Sequence, residues 1–247
     1  MSTVKTRGAK GAREPREPKL GVLGGMGPQA TQVFYQYVLD RTEASCDQEH
    51  LPALILSDTG VPDRTASILT GNTEPMYQRL LADARLLEEC GCTVIAIPCN
   101  TSHYFVDRIQ QEIGIPILHM IRETAAHVAR RCPGGTVGVL ATDGTVRTGL
   151  YQKALSEQGL QPWTPPADIQ AEVMHQIYHR VKSGLPCDRE SWRRIEAACR
   201  RAGCAAVVLA CTELSVIKAD ESLEDWYVDP MEVLARKVVE TAGKTYR

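Results

Sequence analysis

The stretch IAIPCNTSH at residues 95–103 runs from four small or apolar residues into Cys99 and then directly into polar ones. A second stretch, VVLACTELS at residues 207–215, repeats this order around Cys211. A single cysteine after an apolar strand is usually a small buried hydrophobe. Two of them in the same setting predict a repeated structural unit that ends each of two strands on a thiol.

The repetition extends outward from both cysteines. MYQRLLADARLLEECGCTVIAIPCNT is matched by SWRRIEAACRRAGCAAVVLACTE, so that Gly91 and Gly203 lie 112 residues apart, as Cys99 and Cys211 do. Further upstream, KLGVLGGMGP is matched by GGTVGVLATDGT, which begins near residue 134. A glycine turn, a helix-ending glycine and a strand-ending cysteine therefore recur in one order, which indicates a duplication.

Each copy alternates short β-branched runs with longer helical ones, which predicts parallel sheets with right-handed crossovers. We expect an α/β fold of two similar domains, each a parallel sheet flanked by helices, related by a pseudo-twofold axis. The predicted boundaries are 20–118 for the N-terminal α/β domain, joined by a C-terminal helix at 230–247, and 119–229 for the C-terminal α/β domain. Ligands bind outside the carboxyl ends of such strands, so we expect the active site between the two domains.

The composition of the 247 residues is that of a globular protein without nucleic-acid or membrane partners. Hydrophobic residues make up 43% of the chain and the formal net charge is −2, which argues against a nucleic-acid protein or a polybasic membrane binder. No apolar run is long enough to cross a bilayer, and no signal peptide is evident. The nine cysteines form no CxxC pair, which favours free thiols in a reducing cytoplasm.

Residues 1–19 differ in composition from the rest of the chain. They contain six basic residues, two acidic residues and two prolines, with almost no apolar side chains. Because such a segment cannot contribute to a core, we predict a disordered N-terminal tail. A targeting signal or a nucleic-acid-binding arm is the alternative interpretation.

Both cysteines precede the predicted start of a helix, where free backbone N–H groups and the helix dipole favour a thiolate. If the carboxyl ends of the strands in both sheets line one cleft, the two thiols face a bound molecule from opposite sides. One thiolate then removes a proton from a carbon atom while the other thiol delivers a proton to the opposite face, which inverts the configuration. Two matched groups that exchange the roles of acid and base suit a reaction that runs in both directions.

From Leu20 onward the sequence resembles the aspartate/glutamate racemase family, whose members work without pyridoxal phosphate, and it is most similar to the aspartate racemase branch. The motifs that carry the resemblance are GGMGP at 24–28, DQEH at 47–50, PDRT at 62–65, PCNTSH at 98–103, LATDGT at 140–145 and ACTE at 210–213. The resemblance implies a cofactor-independent isomerase that interconverts L- and D-aspartate, glutamate or both by two-base proton transfer. It implies an acidic amino acid as the partner, no metal, no cofactor and a homodimer.

The resemblance also implies roles for individual residues. Cys99 and Cys211 are the catalytic acid and base. Arg64 and Lys182 are the cations that meet the two substrate carboxylates. Glu213 is the expected acceptor for the substrate ammonium. The remaining predicted substrate-binding residues are Met26, through nearby backbone amides, and Asn100, Thr101, Ser102, Thr142 and Thr212.

Two further side chains near these motifs bear on the site. Asp58 ends the second predicted strand close to the PDRT motif, and we expect its negative charge to affect which side-chain carboxylate fits. His103 either orients the cysteine loop or stacks in the cleft.

Other functions fit parts of the sequence. Another enzyme of the wider superfamily, such as a hydantoin racemase, a maleate isomerase or an arylmalonate decarboxylase, would share the two cysteines but not the combined DQEH and PDRT motifs. A non-catalytic protein that binds acidic amino acids and a nicotinamide-dependent oxidoreductase are the alternatives from other classes, although GVLGGMG lacks the GxGxxG spacing of a dinucleotide site. His175 and His179 are spaced as helical metal ligands, but without the HExxH glutamate they are better read as solvated histidines.

Overall fold

The computed structural model describes residues 18–247. The tail predicted for residues 1–19 therefore lies outside the described residues, except for Pro18 and Lys19. The backbone N–H of Lys19 donates to Thr93 Oγ1 over 2.9 Å, and its carbonyl accepts from the Thr93 N–H over 2.9 Å. Between residues 18 and 247, no helix combines the length and the apolar character that a membrane crossing requires.

The first sheet has four parallel strands in the order β2-β1-β3-β4. Its central strand, with the sequence LGVLG, is buried along its whole length, as parallel strands covered on both faces are. The elements of this half are β1 (Leu20–Gly24), α1 (Pro28–Arg41), β2 (Ala53–Ser57), α2 (Arg64–Thr70), α3 (Glu74–Glu89), β3 (Val94–Ala96), α4 (Val106–Gln110) and β4 (Ile117–Leu118), with short 3₁₀ helices at Asp47–Glu49 and Thr101–Phe105.

The second sheet repeats this topology with four parallel strands in the order β6-β5-β7-β8. Each β-strand takes the position of its counterpart in the first sheet, which confirms the predicted duplicated α/β fold. The elements of this half are α5 (Met120–Arg131), β5 (Thr136–Ala141), α6 (Asp143–Thr148), α7 (Leu150–Glu157), β6 (Gln161–Trp163), α8 (Ala167–Met174), a π-helical turn (His175–Arg180), a 3₁₀ turn (Val181–Ser183), α9 (Arg189–Arg201), β7 (Ala206–Ala210), α10 (Thr212–Glu221), β8 (Tyr227–Val228) and α11 (Pro230–Thr241).

The helices that follow the two edge strands β4 and β8 pack across the boundary between the halves. On α11, Leu234 and Val238 belong to the apolar core that contains Phe34 of α1 in the first half. On α5, Ile121 belongs to the core that contains Val139 of β5 in the second half. α11 therefore packs into the core of the first half, whereas α5 packs into the core of the second half, and we propose the domain boundaries given above on this basis.

The two cysteine-bearing strands end differently. β7 ends at Ala210, directly before Cys211, but β3 ends at Ala96, three residues before Cys99. The expectation that the earlier strand runs to its cysteine is therefore wrong. Pro98 carries no N–H and cannot continue a strand ladder, and the N–H of Cys99 instead closes a tight turn onto the Ile97 carbonyl over 2.8 Å.

The two halves approach each other closely beside the carboxyl ends of their parallel strands. α2 of the first half packs on α6 of the second half. A Cβ atom added at Gly144 of α6 would lie 2.8 Å from the Cα atom of Thr65 on α2. The contact between these two helices therefore requires a residue without a side chain at position 144.

Candidate active site

A small cavity lies between the two halves and is lined by both Cys99 and Cys211. Its volume is about 20 Å³, enough for about one water molecule by this measure. The two cysteines are buried, with 6% and 8% of their surface exposed. Of the other predicted site residues, the cavity is lined by Met26, Arg64, Asn100, Thr101, Thr142, Lys182, Thr212 and Glu213.

The remaining predicted residue, Ser102, lies beside the sulfur of Cys99 and not on the cavity wall. Its hydroxyl donates to Cys99 Sγ over 3.1 Å and lies 3.2 Å from the Met26 sulfur. Ser102 is completely buried. The sulfur of Cys99 is therefore a hydrogen-bond acceptor in this arrangement.

His103 fastens the Cys99 loop to the following helix. Its Nε2 accepts from the backbone N–H of Met120 over 3.0 Å, so the proton of the neutral ring is on Nδ1, which donates to the Cys99 carbonyl over 2.9 Å. Burial, reinforced by His119, lowers the pKa of His103 to about 3, so the ring is neutral near pH 7. Of the two roles considered for His103, this geometry supports orientation of the loop.

The sulfur of Cys211 has the opposite hydrogen-bond polarity. Its S–H donates to Glu213 Oε2 over 2.9 Å. Burial, and then the Glu213 carboxylate, raise the pKa of the Cys211 thiol well above its usual value. The expectation that the start of a helix favours a thiolate at both cysteines therefore does not describe Cys211, because burial and a neighbouring negative charge outweigh the helix N-terminus.

Glu213 also binds Lys182. The Lys182 Nζ atom lies 3.0 Å from Glu213 Oε1, so both carboxylate oxygens are engaged, one by the ammonium and one by the Cys211 thiol. Burial lowers the pKa of Lys182, but the charges of Glu213 and Cys211 raise it further, and the net pKa lies above its usual value. Lys182 is therefore a fixed positive charge at the cavity.

Arg64 is the second cation of the cavity. It is the first residue of α2, and its guanidinium donates only long contacts, of 3.4 Å, to the carbonyls of Val61 and Pro62. Across residues 18–247, the salt bridges do not include Arg64. Its charge is thus available to an anionic ligand.

Three threonine hydroxyls join the two halves at the floor of the cavity. Thr101 Oγ1 lies 2.8 Å from Thr145 Oγ1 and 3.4 Å from Thr142 Oγ1, and the Thr142 hydroxyl lies 3.2 Å from that of Thr145. Thr145 was not among the predicted residues, although it closes the LATDGT motif. Thr142 caps α6 and accepts from the N–H of Thr145 three positions later, and this capping pattern was the available signal.

The cavity opens towards a larger one on its outer side. This outer cavity has a volume of about 390 Å³ and shares Arg64, Lys182 and Glu213 with the inner one. Its other walls include Pro28 and Val216. The three shared charged side chains therefore separate the two cysteines from the wider outer space.

Sequence reasoning missed three residues of the inner cavity, Asp63, Thr65 and Tyr178. Asp63 and Thr65 flank Arg64 in the PDRT motif, and Tyr178 lies four positions before Lys182, which is helical spacing. Asp58, in contrast, forms an ion pair with Arg79 and does not line the inner cavity.

The fold and the cavity define a duplicated α/β protein in which each half supplies one buried cysteine to a shared site. The chain belongs to the Asp/Glu/hydantoin racemase family, which its residues 23–238 match. Together with the relatives below, this identifies it as an amino-acid racemase, an isomerase, and confirms the resemblance found in the sequence.

Individual relatives cover almost the whole chain. The broad specificity amino-acid racemase RacX of Bacillus subtilis (strain 168) is 27% identical over 224 residues, which are 87% of this chain and 93% of that protein. The aspartate racemase of Picrophilus torridus is 28% identical, with a TM-score of 0.78 over 93% of this chain and 96% of that one. An aspartate racemase homologue from Pyrococcus horikoshii OT3 is 27% identical, with a TM-score of 0.72 over 91% of this chain and 99% of that one.

Proposed function

We propose that this racemase interconverts the enantiomers of an acidic amino acid, aspartate or glutamate, by proton transfer between Cys99 and Cys211 without a cofactor. The main support is that both sulfurs line one cavity together with two cations, Arg64 and Lys182. An acidic amino acid brings two carboxylates, and two cations meet that requirement. The similarity to an aspartate racemase and to an aspartate racemase homologue supports the same substrate class.

The hydrogen bonds at the two sulfurs suggest which group starts in which form. Cys99 accepts from Ser102 and is the base, which takes the α-proton as a thiolate and becomes a thiol. Cys211 holds its proton against Glu213 and is the acid, which delivers that proton to the opposite face of the α-carbon and becomes a thiolate. The reverse reaction uses the same two groups with their roles exchanged.

Glu213 is suited to restoring the starting state. It lies in hydrogen-bond contact with Cys211 Sγ, and its other oxygen contacts Lys182. In this position Glu213 can relay a proton after each turnover: it takes one from water and gives it to the Cys211 thiolate, while the Cys99 thiol releases its proton to water, so both sulfurs regain their starting forms. It can also accept from the substrate ammonium once a substrate carboxylate has drawn Lys182 away.

The inner cavity must widen before a substrate enters. A volume of about 20 Å³ is too small for an amino acid, whereas the outer cavity of about 390 Å³ is large enough to receive one. The ion pair between Lys182 and Glu213 belongs to the boundary between the two spaces. We therefore infer that a substrate carboxylate enters from the outer cavity and replaces Glu213 as the partner of Lys182.

A deuterium-exchange experiment tests the reaction and its substrate class together. The protein is incubated with each enantiomer of aspartate and of glutamate in heavy water without a cofactor, and the α-proton is followed by NMR. We expect loss of the α-proton signal together with formation of the opposite enantiomer. Alanine and lysine are included for comparison, and equal rates for these neutral and basic amino acids would contradict the proposed acidic substrate.

The cellular location and the assembly are proposals that rest on other features. All nine cysteines are free, which suits a reducing compartment such as the cytoplasm. The homodimer implied by the resemblance stays a prediction, which the molecular mass in solution tests.

A further inference from the structure

Tyr151 of α7 forms a hydrogen bond from the second half of the molecule to the cysteine loop of the first. Its hydroxyl donates to Asn100 Oδ1 over 2.5 Å. The tyrosine is completely buried, and Asn100 is 3% exposed and lines the inner cavity next to Cys99. This bond therefore joins a core side chain to a side chain of the site.

The amide nitrogen of Asn100 is left without a partner. Asn100 Nδ2 is buried and makes no hydrogen bond to any group of residues 18–247. An unmade hydrogen bond of this kind is unfavourable, and native structures retain few of them. Because Asn100 lines the inner cavity, the widening that admits a substrate would bring this buried donor within reach of an acceptor on the ligand.

The hydroxyl of Tyr151 determines which end of the amide faces the ligand. An asparagine side chain has one oxygen, which only accepts, and one nitrogen, which only donates. The Tyr151 hydroxyl donates to Asn100 Oδ1, and burial raises the pKa of Tyr151 well above its usual value, so the phenol keeps the proton that this bond uses. The oxygen of Asn100 is held at the phenol, and the nitrogen is turned away from it.

We propose that Tyr151 is a positioning residue, which fixes the Asn100 amide with its N–H directed at the α-carboxylate of the substrate. This inference rests on the proposed function, since it concerns the same reaction at the same site. Negative charge increases on the α-carboxylate as the α-proton leaves, so a donor fixed there stabilises the transition state as well as the bound substrate. Loss of the fixed orientation should therefore raise KM and lower kcat.

The first test replaces Tyr151 by phenylalanine, which removes the hydroxyl and keeps the ring. We expect a decrease of about 10-fold in kcat/KM for aspartate or glutamate, with a raised KM. The control is Tyr227→Phe, because Tyr227 is also buried but lines a different cavity, near α5 and α11, and its kcat/KM should stay within about twofold of the wild-type value. A Tyr151→Phe protein with unchanged kinetics, or with lower kcat at an unchanged KM, would overturn the proposal, since a purely structural defect only reduces the active fraction.

A second pair of variants tests the amide orientation even if Tyr151→Phe does not fold. Asn100→Asp keeps an acceptor for Tyr151 but presents a negative charge to the substrate carboxylate, whereas Asn100→Ala only removes the donor. We expect Asn100→Asp to be at least about 10-fold less active than Asn100→Ala. The opposite order would mean that the amide oxygen faces the ligand, and the proposal would fail.

Failure of the proposed function is distinguishable from failure of this inference. If the wild-type protein racemises neither aspartate nor glutamate, that function fails, and the role of Tyr151 is judged from carboxylate binding. Calorimetric titration with succinate should then show about 10-fold weaker binding to Tyr151→Phe than to wild type and to Tyr227→Phe. Equal dissociation constants for all three proteins, or no binding of succinate to any of them, would overturn the inference.

Discussion

The two cysteine loops descend from one repeated unit, yet they hold their sulfurs in opposite ways. In the first half the strand ends early, a 3₁₀ helix follows, and Ser102 donates to Cys99 Sγ. In the second half the strand runs directly into α10, and Cys211 donates to Glu213. The equivalent positions thus supply one sulfur that accepts a hydrogen bond and one that donates. The duplication places two cysteines at one cavity, and the divergence of the two copies gives their sulfurs different hydrogen-bond partners.

The side chains that connect each cysteine loop to a neighbouring helix, here called the anchors of the loops, also differ between the two halves. Four residues after each cysteine, a polar side chain connects the loop to the start of the helix that follows the next strand. In the first half this is His103, which accepts from the N–H of Met120. In the second half it is Ser215, which donates to Asp229 Oδ1 over 2.8 Å, and Asp229 Oδ1 accepts from the Met231 N–H over 2.8 Å. One imidazole and one hydroxyl–carboxyl pair therefore perform the same connection with different acid–base chemistry.

The largest effect is expected from removing either sulfur. Because the proposed mechanism takes one acid–base group from each half, Cys99→Ala and Cys211→Ala should each lower the rate of racemisation by about 10² to 10⁴-fold. The measurement is the interconversion of aspartate or glutamate enantiomers by polarimetry. Cys92→Ala is the matched control, because Cys92 is also buried but does not line the inner cavity. Near-wild-type turnover in either active-site variant would exclude that thiol from the reaction.

A smaller effect is expected from changing the partner of each sulfur. Glu213→Gln removes the negative charge that helps raise the pKa of Cys211, so this pKa should fall, and turnover should fall by about 10²-fold because the proposed proton relay to Cys211 is lost. Ser102→Ala removes only one neutral donor, and turnover should fall by about threefold. The rates of Cys211 alkylation against pH, followed by peptide mass spectrometry, measure the change in pKa.

The control for this pair is Glu232→Gln, since Glu232 also pairs with a lysine, Lys218, over 2.7 Å, but lies outside the inner cavity. Its turnover should remain close to that of the wild type. Equal losses in Ser102→Ala and Glu213→Gln would show that the difference in hydrogen-bond polarity between the two sulfurs has no consequence for catalysis.

Gly27 and Gly144 occupy equivalent positions after strands β1 and β5, but their surroundings are packed differently. A Cβ atom at Gly144 would lie 2.8 Å from Thr65 Cα, whereas a Cβ atom at Gly27 would meet only Glu213 Oε1, at 3.9 Å. Gly144→Ala should therefore lower the free energy of unfolding by about 2 kcal/mol, because α2 and α6 must move apart. Gly27→Ala should change it by less than about 0.5 kcal/mol. Urea denaturation measures both, and equal destabilisation would contradict the close contact.

Much of this comparison could be predicted from the sequence, because it depends on features that the repeat displays. The order of strands and helices and the pair of cysteines follow from matched positions in the two copies. Ten of the eleven predicted residues line the inner cavity, and apart from the cysteines these were implied by the resemblance to the racemase family and not by the repeat. The polarity of the hydrogen bonds at the sulfurs follows from neither, since it depends on side-chain rotamers that both halves determine together. Tyr151 and Thr145 were missed for the same reason, because their partners lie in the other half.

The smallest effect expected is the change of folding stability with pH that comes from the two anchors, His103 in the first half and the Ser215–Asp229 pair in the second. Burial raises the pKa of Asp229 to about 6 from its usual value of 3.8, so between these values the folded protein binds the proton and the unfolded chain does not. Stability contributed by Asp229 therefore decreases as the pH rises through this window. His103, with its pKa lowered to about 3, acts in the opposite direction, since between this value and its usual value of 6.5 only the unfolded chain binds the proton.

Replacing Asp229 by asparagine isolates the contribution of the second anchor. The amide oxygen of Asn can still accept from Ser215 and from the Met231 N–H, so the connection remains while the titration is lost. Between pH 4.5 and 6 the variant should gain stability relative to the wild type by about 1.5 kcal/mol, measured by urea denaturation at each pH. A difference that is constant with pH would show that the Asp229 carboxyl does not titrate in this range, and the two anchors would then not differ in pH dependence as proposed.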